Sequence, residues 1–203
     1  MALSLVTGPT VEPIDLAEAK LHLRVDTTDE DELVKTLIRA ARQYVETFTR
    51  RALVTQTWDL MLDAFPCEAI TLPMAGVTSV TSITYVDTNG ATQTWSSSLY
   101  QTDLPTAPKA PFARIQPAYQ QVYPMTRDQM NAVTIRFVAG NATAVTVPES
   151  LKAGIKLLVG HWFQNREAVV VGAEPKRTYR SASPVPPAIV KVRFVAPAGT
   201  GIV

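Results

Sequence analysis

The spacing of apolar residues changes twice along this chain, and no single motif limits its fold as strongly. In TTDEDELVKTLIRAARQYVETFTRR (residues 27–51) apolar positions recur every three or four residues, the period of a helix with one buried face. From Ala52 to about Val147 the period shortens to two; Thr, Val, Tyr and Trp are prominent, and Pro and Gly separate the runs, as in strands joined by turns. At Pro148 the helical period returns in VPESLKAGIKLLVGHWFQ. The order implies an α+β fold in which N- and C-terminal helices form a helical body around an inserted β-rich block, followed by a C-terminal extended strand. With 203 residues, 46% of them apolar, such a chain buries a core without staples. The expected divisions are an N-terminal arm (1–13), a helical part (14–51), the β-rich insertion (52–147), a C-terminal helix (148–170), and a Pro-rich loop with a terminal strand (171–203).

Local signals fill in this outline. PIDLAEAKLHLRVD reads as a short helix capped by Asp15, with Glu18 three residues on and Leu16, Ala19, Leu23 and Val25 on its buried side. The next helix is expected to start at a Thr28 cap, with Asp29, Glu30, Asp31 and Glu32 at the positive end of its dipole. Its core face reads as Leu33, Leu37, Ala40, Ala41, Tyr44 and Phe48, which puts Lys35, Arg39, Arg42, Glu46 and Arg50 on the exposed side. Strands are expected in TQTWDLMLDAF, EAITLP, SLYQTDL, ARIQPAY and AVTIRFVAG, and VTSITYVDTNGATQTW is a hairpin whose Asn89–Gly90 pair suits a turn needing positive φ. PAIVKVRFVAP alternates, with Val190, Val192 and Phe194 on one side and Lys191 and Arg193 on the other.

Chemistry is hard to find in these residues. The single cysteine, Cys67, cannot form an internal disulfide or a zinc spacing, and a reducing compartment is its natural setting. No leader and no membrane span are expected from MALSLVTGPTVEP, whose apolar run is short and lacks a basic start. His22 and His161 lie on separate helices without HxxxH spacing, so His161 reads as a packed side chain rather than a ligand. Asp59, Asp63, Asp87 and Asp103 read as turn and strand-end residues, and no GxSxG, P-loop or GxGxxG occurs. No catalytic residue, cofactor or metal is expected.

The last helix is the more informative feature. At about 100° per residue, Leu151, Ile155, Leu158 and Trp162 share one stripe, while Leu157, Val159 and Phe163 fall away from it. A helix apolar on several sides is covered on several sides, here by the β block or by a neighbouring subunit, and Gly154 and Gly160 would allow close approach. Charge is uneven as well: residues 149–203 carry 8 Lys/Arg against 3 Asp/Glu although the whole chain has a net charge of only +1. Within that basic quarter Lys176, Arg177 and Arg180 surround Tyr179, a group suited to docking an acidic partner or touching phosphates.

In order, PIDLAEAKLHLRVD, DELVKTLIRAARQYVETFTRRAL, VTSITYVDTNG, VTIRFVAG and VPESLKAGIKLLVGHWFQNREAVV resemble the head–tail connector (adaptor) proteins of long-tailed bacteriophages and gene transfer agents. The resemblance runs from about Pro13 to Val170. It implies a virion structural protein at the head–tail junction, assembled in the host cytoplasm as a homo-oligomeric ring, usually of twelve. That ring lies between the portal protein and the stopper or tail proteins, and DNA passes through it without sequence-specific binding. It also implies that subunit contacts cover Leu157, Val159 and Phe163, and it makes Lys35, Arg39, Arg42 and Arg50 candidates for the channel wall. The C-terminal stretch departs from the family pattern, which leads to the expectation that its terminal strand docks on a sheet of the portal or of an adjacent subunit. The competing reading is a packaging or assembly factor that contacts nucleic acid transiently and does not stay in the virion.

Overall fold

A computed structural model describes residues 1–105 and 112–166. Three helices and eight strands make up the described chain, an α+β fold with antiparallel sheets. Residues 167–203, and with them the expected terminal strand, lie outside the described residues.

Helix α1 (Leu16–Leu23) begins as the sequence indicates, since the Asp15 carboxylate accepts from the Glu18 amide at 2.6 Å. Helix α2 (Asp31–Thr49) starts later than expected: Thr28 gives only its carbonyl, to the Asp31 amide, and its side chain does not cap. Helix α3 (Glu149–Gln164) follows Pro148, whose carbonyl accepts from the Leu151 and Lys152 amides. The three helices share one core, built from Ile14, Ala19, Val34, Ile38, Ala41, Leu53, Val54, Val147, Ile155 and Val159.

The face that α2 buries differs from the expectation. Ala41 is buried and Leu37 half-buried as expected, but Val34 and Ile38 take the innermost positions, whereas Tyr44 and Phe48 are exposed. The sequence holds two adjacent stripes, and the core against α1 and α3 is built on Val34, Ile38 and Ala41. Tyr44 and Phe48 stack outside at 6.5 Å, and Trp162 of α3 meets Tyr44 edge-on at 6.1 Å.

Within the described residues all the expected strands form. In chain order they are β1 (Ala2–Thr7), β2 (Gln56–Leu62), β3 (Ile70–Thr71), β4 (Val77–Val86), β5 (Thr92–Trp95), β6 (Tyr100–Asp103), β7 (Arg114–Pro117) and β8 (Val133–Ala139). Five of them build one sheet in the order β1-β2-β8-β4-β5, and three build another in the order β3-β7-β6. Within the expected N-terminal arm, β1 is extended and lies antiparallel on β2, with Leu3 opposite Leu60 and Leu5 opposite Trp58. A second core, including Leu60, Ile83, Ile135 and Phe137 from one sheet and Ile70 and Ile115 from the other, fills the β block.

The β4–β5 hairpin turns at Asp87, whose carboxylate accepts from the Asn89 and Ala91 amides and from Gln93 Nε2. Gly90 alone takes positive φ there, +86°, so the loop is longer than a two-residue turn. Those three donors lower the Asp87 pKa, Gln93 contributing most. Chain entry to and exit from the β block are tied together: the Leu53 carbonyl accepts from both the Asn141 amide and Asn141 Nδ2, and the Asn141 carbonyl accepts from the Thr55 amide. Gly140, at φ +103°, passes so close to Val54 that a Cβ would lie 2.1 Å from its carbonyl oxygen.

Candidate assembly surfaces

Helix α3 was expected to present Leu157, Val159 and Phe163 to a neighbouring subunit. Only Leu157 is turned fully outward, 67% exposed. Val159 is 1% exposed inside the helical core, so it cannot be a subunit contact. The wheel misplaces it because α1 and α2 close on α3 from two directions and widen its buried arc to include Lys152, Ile155 and Val159. Phe163 is half-buried, packed against the same core and beneath the Arg166 guanidinium, which sits 4.9 Å from its ring centroid.

Both helix glycines were expected to admit a close neighbour. Gly160 does so for α1, where the His22 ring lies 3.5 Å from the place of a Cβ, and Gly154 faces open space. Lys156 pairs with Glu18 of α1, which raises its pKa, and Lys152 pairs with Glu149, which lowers the Glu149 pKa. His161 is exposed on α3, with Nδ1 3.2 Å from the Asn165 side-chain amide.

The basic row of α2 divides. Lys35, Arg39 and Arg50 are exposed, Lys35 within 2.7 Å of Glu32, which raises its pKa. Arg42 is 6% exposed and is not on the solvent face. Its Nε donates to Glu12 at 2.8 Å and its Nη1 to Glu46 at 2.6 Å. Glu46 also accepts from Gln56 Nε2 and the Leu53 amide, so one carboxylate ties α2 to β2 and to the chain leaving the helix. Buried at 6% exposure and turned toward these two carboxylates, Arg42 is not on the open helix face expected of a channel residue.

Beside this network a groove of about 710 Å³ opens between β1, β2 and α2. Leu3, Leu5, Pro9, Trp58, Pro73 and Met74 give it an apolar lining, and Arg42, Glu46, Arg50 and Gln56 form its polar end. The Trp58 indole N–H is buried there without an acceptor among the described residues. At the other end of the sheet the loop between β7 and β8 exposes Tyr119, Val122, Met125 and Met130. Tyr123 anchors that loop by donating to the Glu68 and Ile115 carbonyls, and its ring stacks on Phe65 at 5.1 Å. Sequence reasoning missed both surfaces. Methionine and tyrosine crowded into a loop free of regular periodicity was the available signal for the second.

The partner-docking candidates Lys176, Arg177, Tyr179, Arg180, Val190, Val192 and Phe194 lie outside the described residues. Within them, no group of three His, Cys, Asp or Glu is placed to hold a metal ion, and no helix is long and apolar enough to cross a membrane.

Residues 13–102 match the family model of the phage gp6-like head-tail connector protein. No curated protein matches significantly in sequence. Among solved structures, the chain is similar to one from the virion of a native gene transfer agent (GTA) particle, with 28% identity and a TM-score of 0.71 over 86% of this chain and 90% of that one. It is similar at 27% identity and TM-score 0.72, over 86% and 90%, to a chain from the neck of an empty GTA particle computed with C6 symmetry. A third, from the neck of a native GTA particle computed with C12 symmetry, has 25% identity and TM-score 0.70 over 86% and 89%. Over residues 13–102, therefore, the chain is similar to the phage gp6-like head-tail connectors, the family that the order of its sequence motifs resembles.

Proposed function

We propose that this protein is a non-enzymatic connector subunit of the virion neck, standing at the head–tail junction in a ring of twelve copies. The ring receives the portal protein on one side and the stopper or tail protein on the other, and leaves a channel for DNA. The observation that carries this reading is the nearly end-to-end likeness to a chain from a GTA neck with C12 symmetry, over 86% of this chain and 89% of that one. Leu157, outward on a helix whose other large apolar residues pack against the helical core, supports a subunit contact on α3. Lys35, Arg39 and Arg50 remain the channel residues we propose, and Lys176, Arg177, Tyr179 and Arg180 remain the group we propose for docking an acidic partner surface. The terminal stretch with Val190, Val192 and Phe194 docks by strand addition onto a neighbouring sheet.

The test is the ratio of this protein to the portal protein in purified particles, measured by mass spectrometry. A ratio near one in mature particles is the expected result. Absence from the particles overturns the reading and leaves a transient packaging or assembly factor, which salt-dependent DNA binding by the isolated protein would then identify.

A further inference from the structure

β1 is an edge strand whose protection is limited to a register shift between Leu5 and Thr7. Its six residues, ALSLVT, include no charge and no proline, and every one of them is exposed. It pairs with β2 on one side, and its other side has no strand partner among the described residues. Natural edges of this kind are short, charged, bulged away or covered, because free N–H and C=O groups in a row invite another strand. Register adds a second observation. Leu3 and Leu5 stand opposite Leu60 and Trp58, so their side chains share the face that opens into the groove, while Ser4 stands opposite Asp59 on the other face. A strand added outside β1 therefore sends alternate side chains into an apolar groove and the others to the opposite, polar face, where Asp59 is paired with Arg136.

The sequence contains one stretch with that alternation that β1–β8 leave unused. In residues 188–195, Val190, Val192 and Phe194 are separated by Lys191 and Arg193. We propose that this stretch, from a second copy of the chain, adds to the outer edge of β1, with Val190, Val192 and Phe194 in the groove and Lys191 and Arg193 on the opposite, polar face. The proposal deepens the ring reading and rests on it, because it needs copies side by side. Reach permits it: the roughly twenty residues between Arg166 and Ala188 span up to about 70 Å when extended.

The experiment uses the full chain with Cys67→Ser. One preparation carries Ser4→Cys and a second carries Lys191→Cys, both positions assigned to the face away from the groove. The two are mixed, assembled, oxidised and run on a non-reducing gel, while mass photometry reports ring formation on the same samples. The expected result is a linked pair only when both variants are present, and its loss when Leu5→Asp is added. Rings without the linked pair overturn the proposal and leave the ring reading intact; a linked pair without rings upholds the proposal and overturns the ring. A link confined to one chain in the doubly substituted Ser4→Cys, Lys191→Cys protein makes each copy its own occupant and overturns the proposal as well. Amide exchange gives a readout that needs no substitution in β1. Protection of Leu3–Val6 rises about tenfold or more on assembly and is lost in rings lacking residues 184–203. Unchanged exchange in those truncated rings would sink the idea and, if head docking also fails, would make the portal the occupant.

Discussion

The two hydrophobic cores differ in how fully the chain encloses them. The β core sits between two sheets, with Leu60, Ile83, Ile115, Ile135 and Phe137 wholly buried and the aromatic group of Phe65, Trp95, Tyr100 and Tyr123 closing one side. The helical core is equally dry at its centre, but its outer surface keeps Leu21, Tyr44 and Leu157 in contact with solvent. It also contains the buried charge of Arg42. The β block also leaves large apolar groups outside, in the loop with Tyr119, Val122, Met125 and Met130, so what sets the helical region apart is the buried charge of Arg42.

The largest effect that tests this contrast is expected from Phe137→Ala, which empties a fully buried site in the β core and should cost about 3–5 kcal/mol in urea unfolding of the isolated subunit. A cost below about 1 kcal/mol would mean that the sheets do not form a closed core. Arg42→Met comes next. It leaves the Glu12 and Glu46 carboxylates facing one another without their cation, and breaking such a buried arrangement costs about 3–5 kcal/mol. Unchanged stability combined with impaired DNA retention would return Arg42 to the channel wall.

A smaller effect sharpens the comparison from the other side. Leu157→Asp should alter subunit stability by no more than about 0.5 kcal/mol and yet reduce ring assembly in mass photometry, while Val159→Asp, two residues along the same helix, should prevent folding. Equal behaviour of the two would end the distinction between the inner and outer faces of α3. The smallest expected effect is the acid response of the β4–β5 hairpin. Asp87 has a lowered pKa in the folded chain, so its contribution is present above the unfolded carboxylate value of about 3.9 and is lost as pH falls through the folded value. Chemical shifts of the Asn89 and Ala91 amides should follow that titration, and Asp87→Asn should remove it.

The strands were readable because each is a short alternating run bounded by Gly, Pro, Asn or Asp, and because apolar residues at every second position have one way to reach a core. The inner face of α2 was not. Val34, Ile38, Ala41 and Val45 have the same spacing as the stripe one residue earlier, and a wheel does not show which of the two stripes meets α1 and α3. Arg42 was misplaced for a related reason: its partner Glu12 lies 30 positions away, and nothing local shows that the two meet. β1 was legible as extended chain, whereas its pairing with β2, some fifty residues later, is a long-range fact that only the fold supplies.

The crossing where Leu53 meets Asn141 also bears on descent. These residues are 88 positions apart and hydrogen-bonded to each other, so the chain leaves the helical body and returns to it at nearly one point. A block attached in that way can be lengthened, trimmed or exchanged between lineages without moving the end of α2 or the start of the path to α3. The tie that such a graft must carry with it is β1, which makes the first seven residues and the inserted sheet a single heritable unit despite the helices between them in sequence.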